Sequence, residues 1–107
     1  MTESRSHKVA ANRIAKKLNT QYNNSDGVDI VTKNIAIEIE TKSTVKNGIR
    51  QLQGHRKPSY IAGSNQETVN LAIEATKGTT IGVMDNQGNI IKKSIRKMKR
   101  ERDQIFS

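Results

Sequence analysis

Residues 29 to 42 read Asp-Ile-Val-Thr-Lys-Asn-Ile-Ala-Ile-Glu-Ile-Glu-Thr-Lys. Side chains on a strand alternate faces, so Ile35, Ile37 and Ile39 share one side, while Ala36, Glu38, Glu40 and Lys42 share the other. If the chain reverses at Lys33-Asn34, Val31 falls opposite Ala36 and Asp29 opposite Glu38, with directly paired side chains within roughly 5 Å. Like charges facing each other destabilise a sheet, and a bound cation would offset that. Hard oxygen donors suit Mg²⁺ or Mn²⁺, which makes Asp29, Glu38 and Glu40 candidate metal ligands. The same alternation also fits the solvated face of an amphipathic antiparallel strand, and periodicity alone does not separate the two.

Working outward, Ser4 to Leu18 carries Val9, Ala10, Ile14 and Leu18 at helical spacing and predicts an amphipathic helix. Asn23 to Gly27 form a turn cluster ahead of strands at about Val28 to Thr32 and Ile35 to Thr41. Val45, Ile49 and Leu52 predict a second helix from about Thr44 to His55, which Pro58 keeps from continuing. Ser59 to Ala62 is a short apolar strand. Asn65 then caps a third helix that ends at Gly78. Thr79 to Met84 and Ile90-Ile91 flank the turn Asp85-Asn86-Gln87-Gly88-Asn89 as a second hairpin, and a basic, helical tail follows from about Lys93. The expected order is α-β-β-α-β-α-β-β-α in a single α/β domain over residues 1–107.

The chain has 19 Lys and Arg against 10 Asp and Glu, a net charge of +9 and a pI near 10.1. Such a balance attracts polyanions, and phosphate contacts release counterions without reading base sequence. The cations fall into three groups: Lys8, Arg13, Lys16 and Lys17 near the start; Lys46, Arg50, Arg56 and Lys57 along and after the second helix; and Lys92, Lys93, Arg96, Lys97, Lys99, Arg100 and Arg102 in the tail. The first two groups are the candidate nucleic-acid contacts. With no Cys and only His7 and His55, zinc sites, disulfides and thiol nucleophiles are excluded. No glycine-rich phosphate loop precedes a helix. Three aromatics, Tyr22, Tyr60 and Phe106, are too few for base-stacking recognition. No apolar run reaches membrane-spanning length and the start does not read as a signal peptide, so the expectation is a cytoplasmic protein of a prokaryotic or viral setting.

A helix, a hairpin bearing Asp and then Glu-x-Lys, a helix, a strand, a helix and further strands together resemble a minimal domain of the PD-(D/E)XK nuclease superfamily, to which archaeal Holliday-junction resolvases and many restriction endonucleases are similar. The resemblance covers about residues 5 to 92 and implies a restriction-endonuclease-like fold: a mixed central sheet flanked by helices. It puts the motif Asp at Asp29 and its Glu-x-Lys at Glu40-Thr41-Lys42. A second alignment takes Glu38 as the motif Glu and leaves Glu40 where Lys is expected. Both stay open, so Asp29, Glu38, Glu40 and Lys42 are all candidate catalytic residues. The Pro that often precedes the Asp is missing from Gly27-Val28-Asp29, and the first helix shows no obvious site Glu. Gln51 and Gln53 resemble a helix Gln of some subfamilies. The resemblance implies a Mg²⁺- or Mn²⁺-dependent endonuclease acting on duplex or branched DNA, as a homodimer presenting two sites. The competing reading is a non-catalytic, basic nucleic-acid-binding module.

Overall fold

The computed structural model describes residues 5–22 and 28–96. Its elements are α1 (Arg5–Lys17), β1 (Ile30–Val31), β2 (Ala36–Glu40), α2 (Val45–Leu52), β3 (Ser59–Gly63), α3 (Gln66–Ala75), β4 (Gly82–Met84) and β5 (Ile90–Lys92). The expected terminal helix, the tail cations beyond Arg96 and the turn cluster at 23–27 lie outside the described residues.

The five strands form one sheet in the order β1-β2-β3-β4-β5. The two outer pairs are antiparallel, and β2-β3 and β3-β4 are parallel. Parallel neighbours need crossovers, which α2 and α3 supply. Both crossover helices pack on one face, against Ala36, Ile61, Ile81 and Val83, while α1 covers the other through Ala10, Ala11 and Ile14 against Ile37, Ile39 and Ala62. The result is an α/β domain whose mixed sheet is covered by helices on both faces.

Local chemistry explains the boundaries. α1 ends where Asn19 takes φ 54°, with Asn19 N–H donating to Lys16 and Thr20 N–H to Ala15, a Schellman arrangement. In the first hairpin the Thr32 hydroxyl accepts the N–H groups of Asn34 and Ile35 and so holds the turn at the expected place. Ile30 pairs with Ile37 and Val31 with Ala36, the register that alternation predicts. Asn65 accepts the Thr68 N–H at 2.8 Å and caps α3, also as expected.

Three expectations are corrected. Val9 is half exposed, and Ala11 takes the buried position in its place. α2 stops at Leu52, because Gln53 and His55 bend into a turn whose N–H groups reach Arg50 and Leu52. Strand β4 begins at Gly82, since the Thr79 hydroxyl bridges the Thr76 carbonyl and the Ile81 N–H and holds that segment as a turn.

Candidate functional site

All five residues of β2 are buried. Glu38 is 4% exposed, Glu40 7% and Asp29 8%. The carboxylates are therefore not the solvated face of an amphipathic strand: helices cover both sides of β2, and Glu38 and Glu40 point toward the α2 side along with Ala36. Gly48 of α2 makes this possible. A Cβ there would lie 2.6 Å from the Glu40 Cγ and 2.9 Å from the Ile61 Cδ1, so the bare glycine lets the helix settle directly over the glutamate.

Asp29 sits where the β1-β2 ladder ends. After two residue pairs its side chain takes over from the backbone, Oδ2 accepting the Ile39 N–H at 2.9 Å. The same oxygen lies 3.3 Å from the His7 Nε2 of α1, and the Tyr22 hydroxyl is 3.4 Å from the other ring nitrogen. Asp29 is thus tied at once to the strand and to the first helix.

Burial pushes the Glu38 carboxyl up to about 9, and hydrogen bonding to Asp29, together with the charges of Asp29 and Glu40, adds to the rise. Burial likewise raises Glu40, to about 7; the Asp29 charge adds to this, while a Thr44 hydroxyl and His7 oppose it. Burial and the crowding of like charges therefore leave the two glutamates short of full ionisation near neutral pH. One oxygen on each glutamate, Glu38 Oε2 and Glu40 Oε2, is buried with no hydrogen-bond partner. Leaving such an atom unsatisfied costs about 1–3 kcal/mol.

These orphaned oxygens and the all-oxygen donor set of Asp29, Glu38 and Glu40 fit a hard divalent cation. As they stand, no three His, Asp or Glu side chains among the described residues are grouped tightly enough to hold one. Binding would therefore require deprotonation and a rotamer adjustment of the glutamates.

Lys42 is not brought to the carboxylates. It lies in the turn after β2, its ammonium 2.7 Å from Glu67 at the start of α3, with both side chains more than 60% exposed. That pair keeps Lys42 charged. Gln51 and Gln53 are exposed on either side of the buried Leu52 and do not face the cluster.

The cations divide. Lys8, Lys16, Lys46, Arg50 and Arg56 are exposed. α1 and α2 lie on opposite faces of the sheet, so the α1 and α2 groups belong to different layers of the molecule. Arg13 reaches the Asn86 carbonyl at 3.5 Å, and Lys17 the Asn89 side chain at 2.9 Å. Lys57 is spent on the Thr32 carbonyl at 2.6 Å. Lys92 donates to the carbonyl and hydroxyl of Thr76. Arg96 donates to the carbonyls of Leu52 and His55 and to the hydroxyls of Ser59 and Thr80. Lys57, Lys92 and Arg96 therefore tie separate segments of the fold together.

His7 is the site residue that composition arguments passed over. Its signal lies in spacing: Ala10, Ala11 and Ile14 follow at i+3, i+4 and i+7, which puts His7 on the buried stripe of α1. Comparison with protein-family models, with curated proteins and with solved structures found no match.

Proposed function

We propose that the protein is a Mg²⁺- or Mn²⁺-dependent deoxyribonuclease of the PD-(D/E)XK type, with a restriction-endonuclease-like arrangement of its sheet and helices. The observation that carries this reading is the burial of Asp29, Glu38 and Glu40 together, with an orphaned oxygen on each glutamate. A stable fold gains nothing from such a cluster unless something else completes it.

Asp29, Glu38 and Glu40 would hold the ion, which when bound neutralises charge developing on a phosphodiester and lowers the pKa of an attacking water. The chain's own residues do the rest. Asp29 is oriented by the Ile39 N–H and by His7, the kind of outer support that fixes a ligand's direction. Glu38 and Glu40 would have to be deprotonated to serve as the ion's ligands. Lys42 stays charged, and its exposed pairing with Glu67 is weak enough to give way to a phosphate. Lys8, Lys16, Lys46 and Arg50 attract the DNA backbone without reading sequence. Duplex or branched DNA as substrate and a homodimer as the working unit belong to the same reading, as does a cytoplasmic setting; no helix among the described residues is long and apolar enough to cross a membrane.

The placement of Lys42 favours a second reading, a DNA-binding module that keeps the carboxylate cluster without turnover. The two separate in one assay: supercoiled plasmid and a synthetic four-way junction incubated with Mg²⁺, Mn²⁺ or EDTA, beside Asp29→Ala. The expected result is metal-dependent cleavage that falls at least about 1000-fold in the variant while DNA binding persists. Binding by both proteins with cleavage by neither would leave the module.

A further inference from the structure

The parallel strands β2, β3 and β4 end together, at Glu40, Gly63 and Met84. In open α/β sheets the space beyond these carboxyl ends is the usual place for a ligand. Here it opens into a cleft of about 430 Å³ lined by Arg5, Val9, Ala10, Arg13, Ser64 and Asn86. Arg5, Val9 and Arg13 are spaced four residues apart and form one row along α1, turned away from the stripe that carries His7, Ala11 and Ile14. The cleft therefore lies on the far side of α1 from His7, although the Ser64 N–H donates to the Glu40 carbonyl at 3.0 Å and joins the cleft floor to the strand that carries the carboxylates.

Its chemistry is that of an oxyanion site. Among the described residues no carboxylate lines it. The nearest in sequence, Asp85, is consumed by the N–H groups of Gln87 and Asn89 and by the Asn89 amide, and those bonds hold it below the usual carboxylate range even against the burial that opposes them. Among the described residues Arg5 forms no ion pair and Arg13 makes only its long contact with the Asn86 carbonyl. Asn86 in turn donates to the Ser64 carbonyl at 3.4 Å and ties the β4-β5 turn to the end of β3. Ser64 supplies an independent sign. It is only 6% exposed, and its hydroxyl has no partner. The oxygen is closed off from solvent, so a ligand in the cleft would meet this spare donor only after a turn of the Ser64 side chain. Two guanidiniums, an orphaned hydroxyl and a side-chain amide are the donor set that recognises phosphate. The half-exposed Val9 gives the cleft an apolar wall against which a sugar can rest.

We propose that this cleft is a phosphate subsite that takes a backbone phosphate of a nucleic-acid strand, with Arg5 and Arg13 pairing with its oxygens and Ser64 Oγ donating to one of them. The subsite does not depend on cleavage at the carboxylates, so it is tested in EDTA. Backbone and side-chain N–H resonances of the whole protein are followed by NMR during titration with a short single-stranded oligodeoxynucleotide and, separately, with inorganic phosphate. The expected result is saturable shifts centred on Ser64, Asn86 and the two arginines, with the oligonucleotide binding tighter than phosphate. Arg5→Gln with Arg13→Gln should weaken that binding at least about tenfold and flatten its salt dependence. Ser64→Ala removes no hydrogen bond, so it should leave the melting temperature unchanged or slightly raised while weakening binding about three- to tenfold. The readout is binding in EDTA, so failure of the nuclease reading leaves this result standing, and failure of this result leaves cleavage to be tested separately. Inorganic phosphate binding as tightly as the oligonucleotide would keep the subsite and reassign its ligand to a free phosphate. Shifts scattered over all the exposed lysines, or Ser64→Ala binding as wild type, would overturn the proposal.

Discussion

Arg96 and the Glu38–Glu40 pair are ionisable groups drawn into the same small domain and treated in opposite ways. The Arg96 guanidinium donates to four oxygens from three separate segments, residues 52–55, Ser59 and Thr80. The glutamates are more deeply buried, yet each keeps an oxygen with no partner and a carboxyl whose pKa lies well above its ordinary value. The contrast teaches where the fold is finished and where it is not. Around Arg96 every donor used has an acceptor, which is how buried charge is made to stabilise. On β2 the polar groups are held together without being satisfied, which is how sites that bind something are commonly built.

Breaking the finished side should have the larger effect on stability. Arg96→Met leaves the His55 carbonyl without its Arg96 donor, takes one of two donors from the Leu52 carbonyl and unties the segment after β5 from the end of α2. The expected loss is about 2–4 kcal/mol in denaturant unfolding, and a loss below about 0.5 kcal/mol would mean that these bonds are not made in solution.

The unfinished side should respond in the other direction. Glu38 and Glu40 have folded pKa values near 9 and 7, above the ordinary value of 4.5. A carboxyl raised on folding contributes stability that is fully present below about pH 4.5 and is lost as the pH climbs through 7 and then 9. Without added metal the domain should therefore weaken steadily between pH 5 and pH 9. Glu40→Gln should flatten the lower part of that slope and gain on the order of 1–3 kcal/mol relative to wild type at pH 8. Parallel pH–stability curves for the two proteins would contradict the assignment.

A smaller effect sharpens the comparison at Gly48. Gly→Ala within a helix ordinarily stabilises by up to about 1 kcal/mol. Here the new methyl would press on the Glu40 side chain and the Ile61 Cδ1, so the change should instead destabilise by about 1–2 kcal/mol, read by thermal or chemical unfolding.

The same contrast explains what could be read from the sequence. The hairpin register follows from period-two alternation counted from Lys33-Asn34, and the α3 cap from Asn65, because both are decided within a few residues. The burial of Glu38 and Glu40 is not local. It depends on Gly48 admitting α2 from one side and on Ala10, Ala11 and Ile14 bringing α1 to the other. An Ile-Glu alternation looks the same whether its polar face meets water or a helix. The roles of Arg96 and Lys57 were hidden for a related reason: the Arg96 acceptors at residues 52–59 lie about 40 positions away in the chain, so a run of basic residues reads as a polyanion surface until the fold is known. His7 was legible in principle, from its place on the apolar stripe of α1.

In the proposed reading a divalent cation completes the Asp29, Glu38 and Glu40 cluster. The most direct measurement of this is the melting temperature at pH 8 as Mg²⁺ or Mn²⁺ is titrated, for wild type and for Glu38→Gln with Glu40→Gln. A ligand that binds only the folded state raises stability by about 2.7 kcal/mol at a hundred times its Kd, so wild type should show a saturable rise of several degrees that steepens with pH as the glutamates lose their protons. The double variant should start higher and show no such rise. Equal responses of the two proteins, or none in either, would contradict the account.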